Sequence, residues 1–432
     1  MSFNVGLSGL NAANTALNVT GNNIANVATT GFKSSRAEFG DVYANSLFLG
    51  SAKNGAGTGV TTEQVSQQFT QGTITSTGAS LDMAINGNGF FITSDNGNKV
   101  YTRAGAFGTD NAGNIVDANG AKLMGYSVDA DGKVVAGVLT TLKVDTSALA
   151  PKATDTLSET LNLNSTSSTP SVSPFDAADT NSYNYTFSTD IFDSQGNSHT
   201  LTQYFAKTDT NEWSMYVTVD GVNPGNPAST VPYSATLSFN SDGSLASSTS
   251  SDLTVDTTGK FTMSDWVPAA KNAAGDMASN GSVAATAGVT INMTQTTSYN
   301  TSSATTAKTQ NGYATGSLSS LTIDNEGNLF GTYSNGQSKT IGQVALANFA
   351  NVQGLTPNGN TGWRESAASG VPVVGAPASG TMGTLTAGAL EDSNVDLTAE
   401  LVNLIKAQSN YQANAKTIST ESTIMQTIIQ MT

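Results

Sequence analysis

FNVGLSGLNAANTALNVTGNNI, residues 3–24, is the stretch whose reading decides the fold. Phe3, Leu7, Leu10, Asn14, Leu17, Gly21 and Ile24 recur at alternating steps of four and three. At the other end, Leu397, Leu401, Leu404, Gln408, Tyr411, Ala415, Ile418, Ser422, Met425, Ile429 and Thr432 step in the same way. Mostly apolar residues at this spacing form one stripe on a helix, and a 3.5-residue period favours coiled-coil packing. The several hundred residues between are rich in Gly, Ser, Thr, Asn and β-branched residues, which read as strands and turns. The expected fold class is therefore mainly β with terminal α-helices. Helices with such stripes are expected to pair in coiled-coil fashion, and the strand-rich middle to form β-barrel or sandwich domains.

Working outward, residues 1–32 contain no charged side chain, and Lys33 is the first. A surface helix ordinarily carries Lys and Glu on its wet face, whereas this one carries Asn, Thr, Ser, Ala and Gly. Two readings fit: a frayed polar arm, or a helix of poor intrinsic propensity that forms only when neighbouring chains cover it. Thr29, Thr30 and Gly31 are expected to end that helix near residue 28, with Gly accepting the left-handed conformation after it.

Composition narrows the function. A chain of 432 residues is expected to form more than one domain. Only 11% of residues are charged, and the formal net charge is -15. With no basic patch, counterion release from nucleic acid cannot drive binding, and an anionic membrane repels the chain. There are no cysteines, so disulfides and thiolate metal sites are excluded. No run of 18 apolar residues could span a bilayer. The N-terminus lacks the basic and continuous apolar regions of a Sec-type signal.

Asp-initiated turns recur at Asp95–Asn98, Asp110–Asn114, Asp131-Gly132, Asp193–Asn197 and Asp324–Asn328. Asp bonds nearby N–H groups, and Gly supplies the positive φ that closes a bulged hairpin. A calcium loop over Asp129 and Asp131 fails, because Val138 stands where the bidentate Glu belongs. Gly55, Gly57 and Gly59 alternate with small residues, without the strand, helix or spacing of a dinucleotide loop. The one histidine, His199, follows a Gly-Asn-Ser turn and reads as a surface residue that nothing orients. No nucleophile elbow, Walker loop or zincin motif is present, so neither an enzyme nor a cofactor is expected.

The run Asn23 to Lys33, with Ala25, Asn26, Thr30, Gly31, Phe32 and Lys33 at its core, resembles the signature of the bacterial flagellar rod and hook proteins. Leu401–Gln408 and Tyr411–Ala415 are similar to that family's closing helix, Ser409 standing where the family often has Arg. Asn86–Phe91, and Gln343–Phe349 continuing through Gly354-Leu355 to Trp363, are similar to the hook-forming members. A large insert separates this chain from the rod-forming ones. The resemblance covers most of residues 1–150 and 300–432 and is weak across the insert.

What the resemblance implies is an inner tube domain from 1–31 with 393–432, and a connector from 32–72 with 362–392. It further implies a β domain from 73–150 with 301–361, and an outer β domain inserted at 151–300. Leu7, Leu10, Leu17, Ile24, Leu397, Leu401, Leu404, Tyr411, Ile418, Met425 and Ile429 would carry polymerisation. The product would be a hollow, curved, flexible joint that passes torque from rod to filament. The expected partners are copies of the chain itself, the rod, the hook cap, the hook–filament junction proteins and the export apparatus. Nucleic acid and membrane insertion are not expected. Location would be the extracellular hook, reached by flagellar type III export without a cleaved signal. A distal rod protein and a secreted β-rich adhesin are the alternatives.

Overall fold

The computed structural model describes residues 2–42, 57–129 and 132–431. Gly55 of the glycine-alternating stretch, Asp131 of one expected turn and Thr432 of the C-terminal stripe lie outside the described residues. Two compact units are present. The first comprises residues 1–146, 319–332 and 338–432, and the second 147–318 and 333–337.

In the first unit, helix α1 (Ser2–Ala25) packs on helix α2 (Leu397–Met431). Helix α1 stops at Ala25, three residues short of the expected end. There Asn26 turns its side chain back to the Asn22 carbonyl and amide oxygen. Single turns then carry the chain to Phe32, whose N–H reaches the Thr29 carbonyl. Amide side chains compete with the helix backbone in this way. Gly31 serves a later turn, at φ 68°. A Cβ on Gly31 would lie 2.4 Å from the Ala104 nitrogen, so the close approach itself requires glycine. Helix α2 is capped by Asp396, whose Oδ1 accepts the N–H groups of Thr398 and Ala399.

Strands Ser35–Val42 and Gly59–Gln67 form an antiparallel ladder beside α1. The β body is one large sheet whose central path includes Lys122–Val128, Phe90–Asp95 and Asn98–Thr102. Phe90, Tyr101, Phe349 and Trp363 are the aromatic residues of its core, packed with Ile92. Phe69 and Trp363 each lie within 6 Å of Phe90, edge-on or tilted.

The second unit is a sandwich of two five-stranded sheets. One runs Tyr185–Phe192, Ser198–Asp209, Glu212–Val219, Tyr233–Phe239 and Leu245–Ser250 in simple meander order. Buried residues alternate along these strands, as in 201, 203 and 205, and 213, 215 and 217. They meet Leu157, Leu161, Phe261, Val289 and Ile291 of the facing sheet in one core. Strand Ala304–Gln310 pairs with Thr156–Asn162, which keeps the chain in this unit past residue 300.

Three of the Asp-initiated turns share one geometry, whereas Asp95–Asn98 is a two-residue hairpin turn with Asn96 and Gly97 both at positive φ. Asp110, Asp193 and Asp324 each accept two backbone N–H groups on Oδ1 and the amide of the Asn four residues on at Oδ2. Gly113, Gly196 and Gly327 complete them at φ near 80°.

Candidate functional site

The helix pair is the first part of the site. In α1 the deepest positions are Gly6, Ala13, Thr20 and Asn23, with Gly9 and Ala16 between them. This seam keeps the heptad spacing but sits one residue before the leucine stripe. Ideal Cβ atoms on Gly6 and Gly9 would lie 3.0 Å from Ile418 Cγ1 and 2.4 Å from Asn414 Oδ1. Residues 6 and 9 thus face 418 and 414, so the helices run antiparallel. Opposite the seam, α2 presents Leu404, Ala407, Asn414 and Ile418. The approach is close because the seam carries no large side chain.

Apart from Leu404 and Ile418, which meet the seam, the larger apolar residues lie beside it or outward. Leu7, Leu397, Leu401, Tyr411, Met425 and Ile429 are exposed, and Leu10, Leu17, Ile24, Leu404 and Ile418 are half-buried. Val5, Val402, Ile405, Ile424, Ile428 and Met431 are exposed beside them. With Gly6 opposite Ile418, Ser2 falls level with Ser422. The last turns of α2 therefore run beyond the start of α1. Thr417, Thr420, Thr423 and Thr427 return their hydroxyls to carbonyls four residues back, so this helix face is neutral and internally satisfied.

The second part is the junction where the helices meet the β body. Lys33, 1% exposed, donates from Nζ to Glu391 Oε1 at 2.6 Å and to the Thr70 carbonyl. Arg103 donates to Glu391 Oε2 at 3.2 Å and to the Gly87 carbonyl at 2.7 Å. Glu391 is fully buried and also accepts the Gly72 N–H, while its main-chain carbonyl accepts the Gly31 N–H. Burial pulls the basicity of Lys33 and Arg103 below their ordinary values, and the Glu391 carboxylate partly restores both. Asn394 continues the junction, with its oxygen on the Ser34 N–H and its amide on the Gln68 carbonyl. Asn23 binds Ser35 through both main-chain groups. In the 23–33 motif, Gly31 and Lys33 are buried, Asn26, Thr30 and Phe32 are half-buried, and Ala25 is exposed. A cleft of about 580 Å³ opens beside the junction between Asn22, Asn26, Phe32, Asn119, Thr361 and Trp363.

Sequence reasoning missed Arg103 and Glu391. The available signal was Lys33 itself, since a lone cation ending a long uncharged run calls for a buried counter-charge.

His199 corrects an expectation. It is 4% exposed and strongly oriented, with Nδ1 2.7 Å from Asp220 Oδ2 and Nε2 3.2 Å from Asp193 Oδ2. A hairpin neighbour reads as a surface residue, but the strand Ser198–Asp209 turns this ring inward beside Trp266. Ser282 Oγ, itself buried, donates to Asp193, which commits that hydroxyl to the carboxylate.

Four family models match the chain. They are Flagella basal body rod protein over residues 3–33 and Flagellar hook protein FlgE/F/G D1 domain over 84–149. The others are Flagellar basal body protein FlaE D2 domain over 162–313 and Flagellar basal body rod FlgEFG protein C-terminal over 386–431. These define the class, the rod and hook proteins of the bacterial flagellum. Flagellar hook protein FlgE of Salmonella typhimurium is 41% identical over 438 residues, with all of both chains covered. That of Escherichia coli K12 is 42% identical over 436 residues, again over all of both chains. The Treponema pallidum protein is 33% identical, covering 99% of this chain and 98% of its own. The chain belongs to the flagellar hook protein family.

Proposed function

We propose that this chain is the structural subunit of the hollow, curved flagellar hook, polymerising through its terminal helices. The observation that carries the reading is the seam of small residues, which pairs α1 with α2 and leaves the leucine and isoleucine faces outward. Burying each such side chain contributes about 1.5–3 kcal/mol, and copies of the same chain supply the cover. A heterologous contact that does not close on itself propagates as a helix, and hence as a tube.

Within the subunit, residues 1–31 and 393–432 form the inner tube, with 32–72 and 362–392 as connector. The β body of the first unit and the sandwich of the second unit form the outer β domains. The neutral inner helices let unfolded cargo pass without strong adhesion, and the outer domains slide on one another as the joint turns. The assembled joint meets the rod, the hook cap and the hook–filament junction proteins. The subunit leaves the cell through the flagellar export apparatus. Full-length hook relatives, covered across the insert as well, favour the hook over a rod role.

Negative-stain electron microscopy of the concentrated full-length chain tests the proposal. Hollow tubes of regular diameter are expected, seeded where necessary by preformed hook fragments. A chain that stays monomeric even with seeds overturns it.

A further inference from the structure

His199 sits where three loops of the second unit meet. Asp193 begins the turn 193–197, Asp220 begins the turn 220–222, and Asn280 and Ser282 belong to the segment after strand Met277–Ser279. Asp220 Oδ2 faces Nδ1 of the ring, and its Oδ1 accepts the Thr200 N–H at 2.8 Å. Asp193 Oδ2 faces Nε2 and also accepts from Asn197, Asn280 and Ser282. Ser194 and Val283 exchange two further hydrogen bonds, which tie the first turn to the last segment. The groups packed on the ring are Asp193, Asp220 and the edge of Trp266, 5.3 Å between centroids. The carboxylate beside that tryptophan, Asp265, is occupied by the Tyr233 hydroxyl.

We propose that His199 is a proton-controlled clamp, closing these three loops when both ring nitrogens carry hydrogen and loosening them when one is lost. The argument is one of donors. A carboxylate oxygen only accepts, so two carboxylates facing the two ring nitrogens require two N–H donors, which only imidazolium has. Loss of one proton to solvent leaves one nitrogen as a lone pair against a carboxylate. The shorter Nδ1 contact to Asp220 keeps its hydrogen. The unprotonated Nε2 then repels Asp193, whose other donors hold it in place as the carboxylate of the turn, so the turn and the 280–283 segment move off the ring together. The same two carboxylates raise the proton affinity of the ring above that of a free imidazole, against the lowering effect of burial. The sign follows: the clamp contributes fully below about pH 6.5, the free-imidazole value, and is lost as pH rises through the higher folded value.

The chain has one histidine, so its titration is unambiguous. The experiment is NMR of the full-length chain carrying ¹³C at the histidine ring carbon, titrated from about pH 5 to about pH 10. Thermal unfolding is followed in parallel by tryptophan fluorescence. Expected are a ring midpoint above about 6.5, a lower midpoint in Asp220→Asn, and a fall in unfolding temperature through the same interval that His199→Gln lacks. A native midpoint at or below the free-imidazole value overturns the clamp, whatever the variants do. So does a His199→Gln chain that keeps the native pH dependence above neutrality.

Discussion

Glu391 holds two buried cations and two backbone N–H groups, one on its carboxylate and one on its main-chain carbonyl, at the place where α1, α2 and the β body join. Removing one partner of a buried pair leaves the other charge uncompensated, at about 3–5 kcal/mol. Glu391→Gln is therefore expected to lower the denaturant stability of the first unit by that amount. Lys33→Met combined with Glu391→Gln should cost clearly less than the two single changes added, since they share one network; strict additivity would refute the coupling. In the second unit, Glu159 is 3% exposed, with Thr189, Gln203 and Lys308 as its polar neighbours. Burial raises its carboxyl to about 7. Because the folded value lies above the unfolded one, stability is full below about pH 4.5 and falls as pH rises through about 7. Glu159→Gln should remove that fall and raise stability at pH 8 by up to about 3 kcal/mol. An unchanged slope in acid-to-neutral unfolding curves would sink this account. Glu159→Gln and His199→Gln each remove one titrating group, so comparing the two variants separates their contributions.

Helix α1 is a poor helix by propensity, since each interior Gly costs about 1 kcal/mol relative to Ala. Gly6 and Gly9 are explained by the partner helix rather than by α1 itself. Gly9→Leu places a branched side chain where Asn414 already sits. The expected outcome is loss of helix pairing and of tubes in microscopy, with thermal unfolding of the second unit unchanged. Leu401→Asp and Ile405→Asp act on the outward face instead. They should leave the folded monomer intact and abolish polymerisation in a pelleting assay, because a charge buried between copies has no partner. If either variant pellets like the native chain, that face is not the contact.

For the whole molecule, removal of residues 1–30 should give a monomer by sedimentation that retains the β-sheet signal in circular dichroism. The sandwich core of Trp213, Phe205 and Phe261 owes nothing to the helices, whereas the proposed polymerisation depends on them. Sequence by itself determined the helical ends, through a heptad period that one chain carries twice. It also determined the turns, through Asp and Gly at set offsets, and the strand-rich middle, through alternation in runs such as Trp213–Val219. These are local signals, readable because backbone geometry imposes its own period on the residues that must be buried. Only the tertiary structure decided which helix face is the seam, because apolar spacing marks several adjacent positions and close packing selects the small ones. Likewise it decided that Lys33, Arg103 and Glu391 share one buried site and that His199 is clamped between two carboxylates. Those pairings join residues far apart in the chain, and no local pattern encodes a contact whose partners meet only after folding.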